Sequence, residues 1–429
     1  MDPLDTRLKA LDWLLAATRS WLFQGLDSAQ HFQKDDDVDW RTIGDLAYVH
    51  NMEPLLYWML SNTEIPLEIP EWLEQRCEKA YFENFLRNEK YLSILKTLLT
   101  ECEKEGIPII VLKGPALIGR IYQDPALRTL SDLDILCSRS NLHRIVNIGR
   151  RMGYTILVDG GGPAATHHVA MSNAESGALL EFHFMPYEVI QNHPKFIELA
   201  WDRREWINVG GIHCPVLCLE MELLFNIAHL VQHQFDVSLK HFLDIAGILI
   251  FHRGKLKGDG IGTLLRDFGL EQAFALTTEF LSTMMCLSRM SPASPLNHKD
   301  SAQSEFNASL RDLLSLMDQD RLLDVRGVIR RFLTAIGNRK GFWNKVDYGI
   351  KALFPFSSSL IGHGIQSTIG ARYFMRQCRF YGKRLLLTLK HFPREYLSRR
   401  QDSLALERAA AKNRITRQIL RRGGFEQLS

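Results

Sequence analysis

The feature that most constrains this chain is a change of hydrophobic period at Gly106. Upstream, apolar residues recur at helical spacing: Leu4, Leu8, Leu11, Leu14 and Leu15 first, then a long amphipathic stretch from Tyr81 to Glu101. That stretch is read with Phe82, Phe85, Tyr91, Ile94, Leu95 and Leu98 near one face. Asp35–Trp40 is a polar break that offers N-caps. Downstream of Gly106 the run Ile107–Leu112 is short and β-branched, as a buried strand is, and it stops at Lys113-Gly114-Pro115. A helix is expected over Ala116–Tyr122, and then a strand in which Leu133, Ile135 and Leu136 alternate with Asp132 and Asp134. A helix follows at Asn141–Met152, then strands at Tyr154–Val158, His167–Met171 and Ala178–Phe184, with Gly160-Gly161-Gly162 read as a plain turn. Helices return at Glu220–Gln234, Leu239–His252, Arg321–Ala335, Ile365–Lys390 and Ser403–Arg422. The expected fold class is α+β: a small mixed sheet over residues 106–215 flanked by helical regions at 1–105 and 216–390, with a basic helical tail at 391–429.

Composition narrows the function classes. At 429 residues, 46% hydrophobic and 24% charged, the chain can bury a sizeable core and has no signature of disorder. No apolar run approaches the roughly 20 residues that cross a bilayer, and the start of the chain does not read as a secretory signal. Seven scattered cysteines point to reduced thiols, so a cytoplasmic location is expected. The net charge of +3 is unevenly spread. From Lys383 onward 12 Lys and Arg face 4 acids, which leaves the remaining 382 residues mildly acidic. No specific nucleic acid is therefore expected as a partner of the body.

Three carboxylates stand out. Asp132 and Asp134 are two apart in a strand pattern and so share a face, and Glu181 lies in a second alternating strand, Leu179–Phe184. If the two strands are neighbours, three acids converge on one patch, which is unfavourable without a cation. A hard divalent ion resolves this, with Mg²⁺ the usual choice beside phosphates and Mn²⁺ an alternative. An isolated Asp-x-Asp is more often a solvated strand edge. Here Lys113-Gly114 precedes it at a strand-to-helix turn, and Arg128 lies between with a guanidinium suited to a phosphate.

The stretch from Ile109 to Cys137 resembles the signature of the uncharacterised nucleotidyltransferase family, which has a DNA-polymerase-β-like catalytic fold. The residues that carry the likeness are Leu112, Lys113, Gly114, Tyr122, Pro125, Arg128, Asp132 and Asp134. The later Leu180-Glu181-Phe182-His183, the helical segment Met221–Leu249, the opening His50–Leu60 and Leu353-Phe354-Pro355 with Tyr373 and Arg376 are also similar to that family. The resemblance implies transfer of a nucleoside monophosphate from an NTP to a hydroxyl-bearing acceptor, with release of pyrophosphate. Asp132, Asp134 and Glu181 would be the catalytic acids and metal ligands, and Lys113, Gly114 and Arg128 would meet the nucleotide phosphates. His183, Lys240 and Asp244 would touch the acceptor or orient the acids. A glycan, a small molecule, a peptide and a protein all remain open as acceptor. Better-known enzymes of this fold have Gly-Ser where this chain has Gly114-Pro115, so one hydroxyl and one N–H are missing. That departure supports the alternative of a non-catalytic nucleotide-binding or scaffold protein.

Other signals are discounted. His229 and His233 stand at i, i+4, but packing outweighs metal binding there. His213, Cys214 and Cys218 are too irregular for zinc, and the two cysteines read as small buried groups. The basic tail reads as a solvated helix, with contact to an anionic membrane surface or an acidic partner as the sharper alternative.

Overall fold

The computed structural model describes residues 3–23, 39–63, 68–158, 167–233, 235–256 and 258–284, together with Arg311 and Leu314. The helices expected beyond residue 320, the Leu353-Phe354-Pro355 motif, the basic tail and the Gly160-Gly161-Gly162 turn lie outside these residues.

The β-branched run forms β1 (Ile109–Val111), fully buried, and the acid-bearing segment forms β2 (Leu133–Cys137). Three further expected strands follow as β3 (Thr155–Val158), β4 (His168–Ser172) and β5 (Leu179–His183). A hairpin that the pattern did not reveal adds β6 (Glu205–Val209) and β7 (Ile212–Val216). Its turn is Gly210-Gly211, both at positive φ, the two-residue connection whose twist matches that of paired strands. The seven strands form one mixed sheet in the order β3-β4-β5-β2-β1-β7-β6. β2 and β5 are parallel neighbours at the centre, with Asp134 opposite Glu181 and Leu136 opposite His183.

Helices α1 (Pro3–Leu22), α2 (Trp40–Val49), α3 (Glu53–Asn62) and α4 (Glu71–Lys104) precede the sheet. Asp39 caps α2 by accepting from the backbone N–H groups of Arg41 and Thr42, so the polar break does start a helix. Within the sheet region lie α5 (Gly114–Ile118), α6 (Leu142–Arg151) and α7 (His193–Asp202). After it come α8 (Leu219–Gln232), α9 (Leu239–Phe251), α10 (Gly258–Phe268) and α11 (Glu271–Met284).

The period-2 alternation of the strands divides the core in two. Ile109, Val111, Leu133, Ile135, Leu180 and Phe182 face one apolar cluster, shared with Leu95 and Leu98 of α4 and with α6. Ile110, Leu112 and Leu136 face the other, built from α1–α3 and α8–α11. Asp134 has the parity of Leu136, so the acids lie on the side of α8 and α9. Among the described residues no helix is long and apolar enough to cross a membrane. The five described cysteines, Cys214 and Cys218 among them, are unpaired and buried.

The expected face of α4 holds at Tyr91, Leu95 and Leu98, which are buried, and fails at its start. Phe82 and Phe85 of α4 are exposed, as is Leu86, whereas Asn84 and Asn88 are buried. A helix that braces a loop has backbone polar groups to satisfy, and this stretch of α4 turns amides inward to do so.

Candidate active site

The site starts at the strand-to-helix turn after β1. Lys113 adopts φ +48° and ψ −122°, which swings the chain sharply and brings its ammonium over the sheet. At Gly114 a Cβ would sit 2.4 Å from Leu130 Cδ2, so a larger residue would have to displace the buried leucine. The helix that follows has only five residues, and Gly114 is buried against Leu130. The Lys113 ammonium lies 3.0 Å from Asp134 Oδ1 and within 6 Å of the ring centres of Tyr187 and Phe225, which stack on each other. Burial opposes its charge, but Asp134, Tyr187, Asp132 and Glu181 together outweigh it and hold the ammonium well above its usual pKa.

Asp134 is shared. His183 Nε2 lies 2.7 Å from the same Oδ1 and 3.6 Å from Glu181 Oε2. Burial would raise the Asp134 carboxyl, yet Lys113 and His183 together hold it below the usual range. His183 is itself raised despite burial, by its bonds to Asp134 and Glu181. Asp132 precedes β2 instead of lying within it and is half-buried. Burial, then the charge of Asp134, raises its carboxyl. Among the described residues the groups with metal-ligand spacing are Asp134–Glu181–His183 and His167–His168–His183, so the arrangement places His183 in the expected acid set and Asp132 outside the tightest part of it. Burial lowers the imidazoles of His168 and His167, the latter to about 3.

Such a surface has few chemical uses. Two carboxylates in register and an ion-paired lysine suit a divalent cation and phosphate charge. A family model for uncharacterised nucleotidyltransferases matches residues 36–285, more than half of the chain. The chain belongs to this family. Among solved structures, the nucleotidyltransferase is similar to ANT(2")-Ia in complex with adenylyl-2"-tobramycin, at 11% identity and a TM-score of 0.30, over 41% of this chain and 94% of that one. It is also similar to the lincosamide antibiotic adenylyltransferase LnuA with lincomycin bound, at 18% identity and TM-score 0.27, over 37% and 95%. A third is an antigenic nucleotidyltransferase-like protein from Paracoccidioides brasiliensis, at 18% identity and TM-score 0.29, over 46% and 92%. No curated protein matches.

In the nucleotidyltransferase, Arg128, expected to meet a phosphate, is held in a buried ion pair. Its guanidinium, 4% exposed, makes a two-pronged pair with Asp244 through Nε (2.8 Å) and Nη2 (2.7 Å), while Nη1 donates to the Thr129 carbonyl. Asp244 also accepts from Tyr122 at 2.8 Å. A buried guanidinium needs a carboxylate, and Asp244 on α9 supplies it along the Nε/Nη2 edge. Lys240, one turn earlier on α9, donates to Thr129 O at 3.3 Å, and burial with the Arg128 charge lowers it to about 7.

Three residues escaped sequence reading. Asn84 donates to the Ala126 carbonyl, and Asn88 donates to the Pro125 and Arg128 carbonyls and accepts from Leu130 N–H. With Tyr91 donating to Ser131 O at 2.6 Å, α4 thus grips the loop that delivers Asp132. The signal was present: Asn84, Asn88 and Tyr91 share a helix face by their spacing. Glu222 on α8 is the third. It is wholly buried, burial raises it to about 7, and its carboxylate faces the Lys113 backbone N–H. His229 bonds Tyr187 OH through Nδ1 at 3.0 Å, a packing role.

Proposed function

We propose that this nucleotidyltransferase moves a nucleoside monophosphate from an NTP to a hydroxyl-bearing acceptor and releases pyrophosphate. The observation that carries the reading is Asp134 and Glu181 opposite each other on parallel strands, with the Lys113 ammonium 3.0 Å from Asp134.

The donor set fits a divalent cation: Asp134 and Glu181 offer oxygens within 4.8 Å of each other, and the Lys113 ammonium occupies the place of a positive charge. Asp134 and Glu181 would hold Mg²⁺ or Mn²⁺, with Asp132 joining from the end of its loop. When bound, the ion supplies charge neutralisation for the phosphates and makes the acceptor hydroxyl more acidic. Lys113 neutralises charge on the leaving pyrophosphate as the bond between the α-phosphorus and its bridging oxygen breaks. Glu181, partly open to solvent, takes the proton of the acceptor hydroxyl as its oxygen bonds to the α-phosphorus. Arg128, Asp244 and Lys240 hold the loop that ends at Asp132 and touch neither phosphate.

Purified chain incubated with Mg²⁺ and each labelled NTP, alone and with cell extract, should yield labelled product and pyrophosphate. A failure to form either under every condition defeats the reading. A second reading, nucleotide binding without turnover, draws on Asp134, which Lys113 and His183 already engage. Calorimetry showing NTP binding with no turnover in extract would favour it.

A further inference from the structure

We propose that His167, His168 and His183 form a nitrogen-rich cation site beside the carboxylate pair, suited to a borderline divalent ion of the Zn²⁺ class and not to Mg²⁺. The site does not depend on nucleotidyl transfer being the reaction.

The three imidazoles converge because of strand pairing. His168 on β4 stands opposite His183 on β5, and His167 directly precedes β4. One ring nitrogen from each lies within 4.8 Å of the others, and the ring centres are 4.5 to 5.7 Å apart. Nitrogens around a tetrahedral ion at ~2.1 Å are about 3.4 Å from one another, so modest side-chain rotation closes the set.

The hydrogen bonds supply a separate indication. His183 is 1% exposed, and its Nε2 lies 2.7 Å from Asp134 Oδ1. An ionised carboxylate only accepts, so Nε2 carries the hydrogen and donates it. The other nitrogen, Nδ1, is buried and has no hydrogen-bond partner among the described residues, and the same holds for His168 Nδ1. Two orphaned buried nitrogens in one imidazole cluster call for a ligand. A histidine that donates one ring N–H to a carboxylate and offers the other nitrogen has the arrangement that orients metal-binding histidines. Imidazole nitrogens suit Zn²⁺, Co²⁺ and their neighbours, whereas Mg²⁺ demands oxygen. Filling this site would lock the His183 hydrogen bond to Asp134, and with it one oxygen of the carboxylate pair.

The test uses the full chain stripped of metal by chelation and titrated with Co²⁺ alone. One equivalent should bind with the intense visible bands of a low-coordinate nitrogen site, displaced by Zn²⁺ but not by a large excess of Mg²⁺. His167→Gln and His168→Gln should each weaken Co²⁺ at least about tenfold and lose the bands, while Asp132→Asn keeps them. A colourless wild-type titration, displacement by Mg²⁺, or full bands in either histidine variant overturns the proposal. Should a variant misfold by circular dichroism, wild-type protein decides the question. Zn²⁺ should shield His167 and His168 from acylation by diethyl pyrocarbonate, read by mass spectrometry, and equal labelling with and without Zn²⁺ refutes the site.

Discussion

Two buried ion pairs flank the loop from Tyr122 to Asp132, and they do opposite work. Arg128–Asp244 is closed: the fork is matched by one carboxylate, a carbonyl takes the remaining Nη, and Tyr122 completes Asp244. Lys113–Asp134 is open: one oxygen of Asp134 is shared by Lys113 and His183, and a second acid stands beside it. A closed pair has its carboxylate and the Nε/Nη2 edge of its guanidinium already matched, so it holds the fold. An open pair beside an extra acid is under-neutralised, which is the condition for exchanging an ammonium for an ion or a phosphate. The basic residues Lys113 and Arg128 look alike in sequence, and what separates them is the number of acceptors each meets.

The contrast breaks first, and by the largest margin, at Asp134. Asp134→Asn should lower the rate of nucleotidyl transfer on the order of 10³-fold while circular dichroism shows the chain still folded, with melting lowered because Lys113 and His183 lose their carboxylate. Measurable transfer at wild-type rate would move the chemistry elsewhere.

The closed pair should answer in stability. Asp244→Leu strands a buried guanidinium and should cost about 3–5 kcal/mol in urea denaturation, and the double variant Arg128→Met with Asp244→Leu should recover most of it. If that double variant is folded and active, the pair is scaffolding. If it is folded and inactive, Arg128 belongs with the phosphates after all.

A smaller effect is expected at α4. Asn88→Ala leaves the Pro125 and Arg128 carbonyls and the Leu130 N–H without their amide partner, and should destabilise by about 2–3 kcal/mol. Phe85→Ala, on the exposed side, should change stability by less than about 0.5 kcal/mol.

The smallest effect is a pH slope. Burial raises the Glu222 carboxyl from its ordinary 4.5 to about 7, so the folded chain holds a proton that the unfolded chain releases across that interval. Its contribution is full below pH 4.5 and is lost as pH rises to 7. Lys240 is lowered from 10.5 to about 7, so the unfolded chain holds the extra proton and stability returns as pH rises from 7 towards 10.5. Glu222→Gln should flatten the falling limb and Lys240→Met the rising one, read from urea midpoints against pH.

Strands β1, β2, β4 and β5 were legible because buried β-branched or alternating runs have few other uses. The hairpin β6–β7 was not: Glu205, Trp206 and Asn208 hide the alternation on an exposed edge, although Gly210-Gly211 marks its turn. At the site, parity put Glu181 and His183 on one face of their strand, and joining Asp134 to them required the two strands to be neighbours, as they are. Asn84 and Asn88 share a face with Tyr91 by spacing, but that this face, like Glu222, turns inward was not legible, since a polar residue in a helix reads as solvated until its neighbour is known.

Taken alone, the order of residues determined the chemistry on offer and the period of each element, for those follow from side-chain type and from spacing along one chain. It therefore set an Asp-x-Asp beside a strand, a Lys-Gly turn before it and a second acidic strand after it. Which charges neutralise each other was decided only by tertiary contact. Asp244 is 116 residues from Arg128 and Asp134 is 49 from His183, and a hydrogen bond depends on ångströms, not on sequence distance.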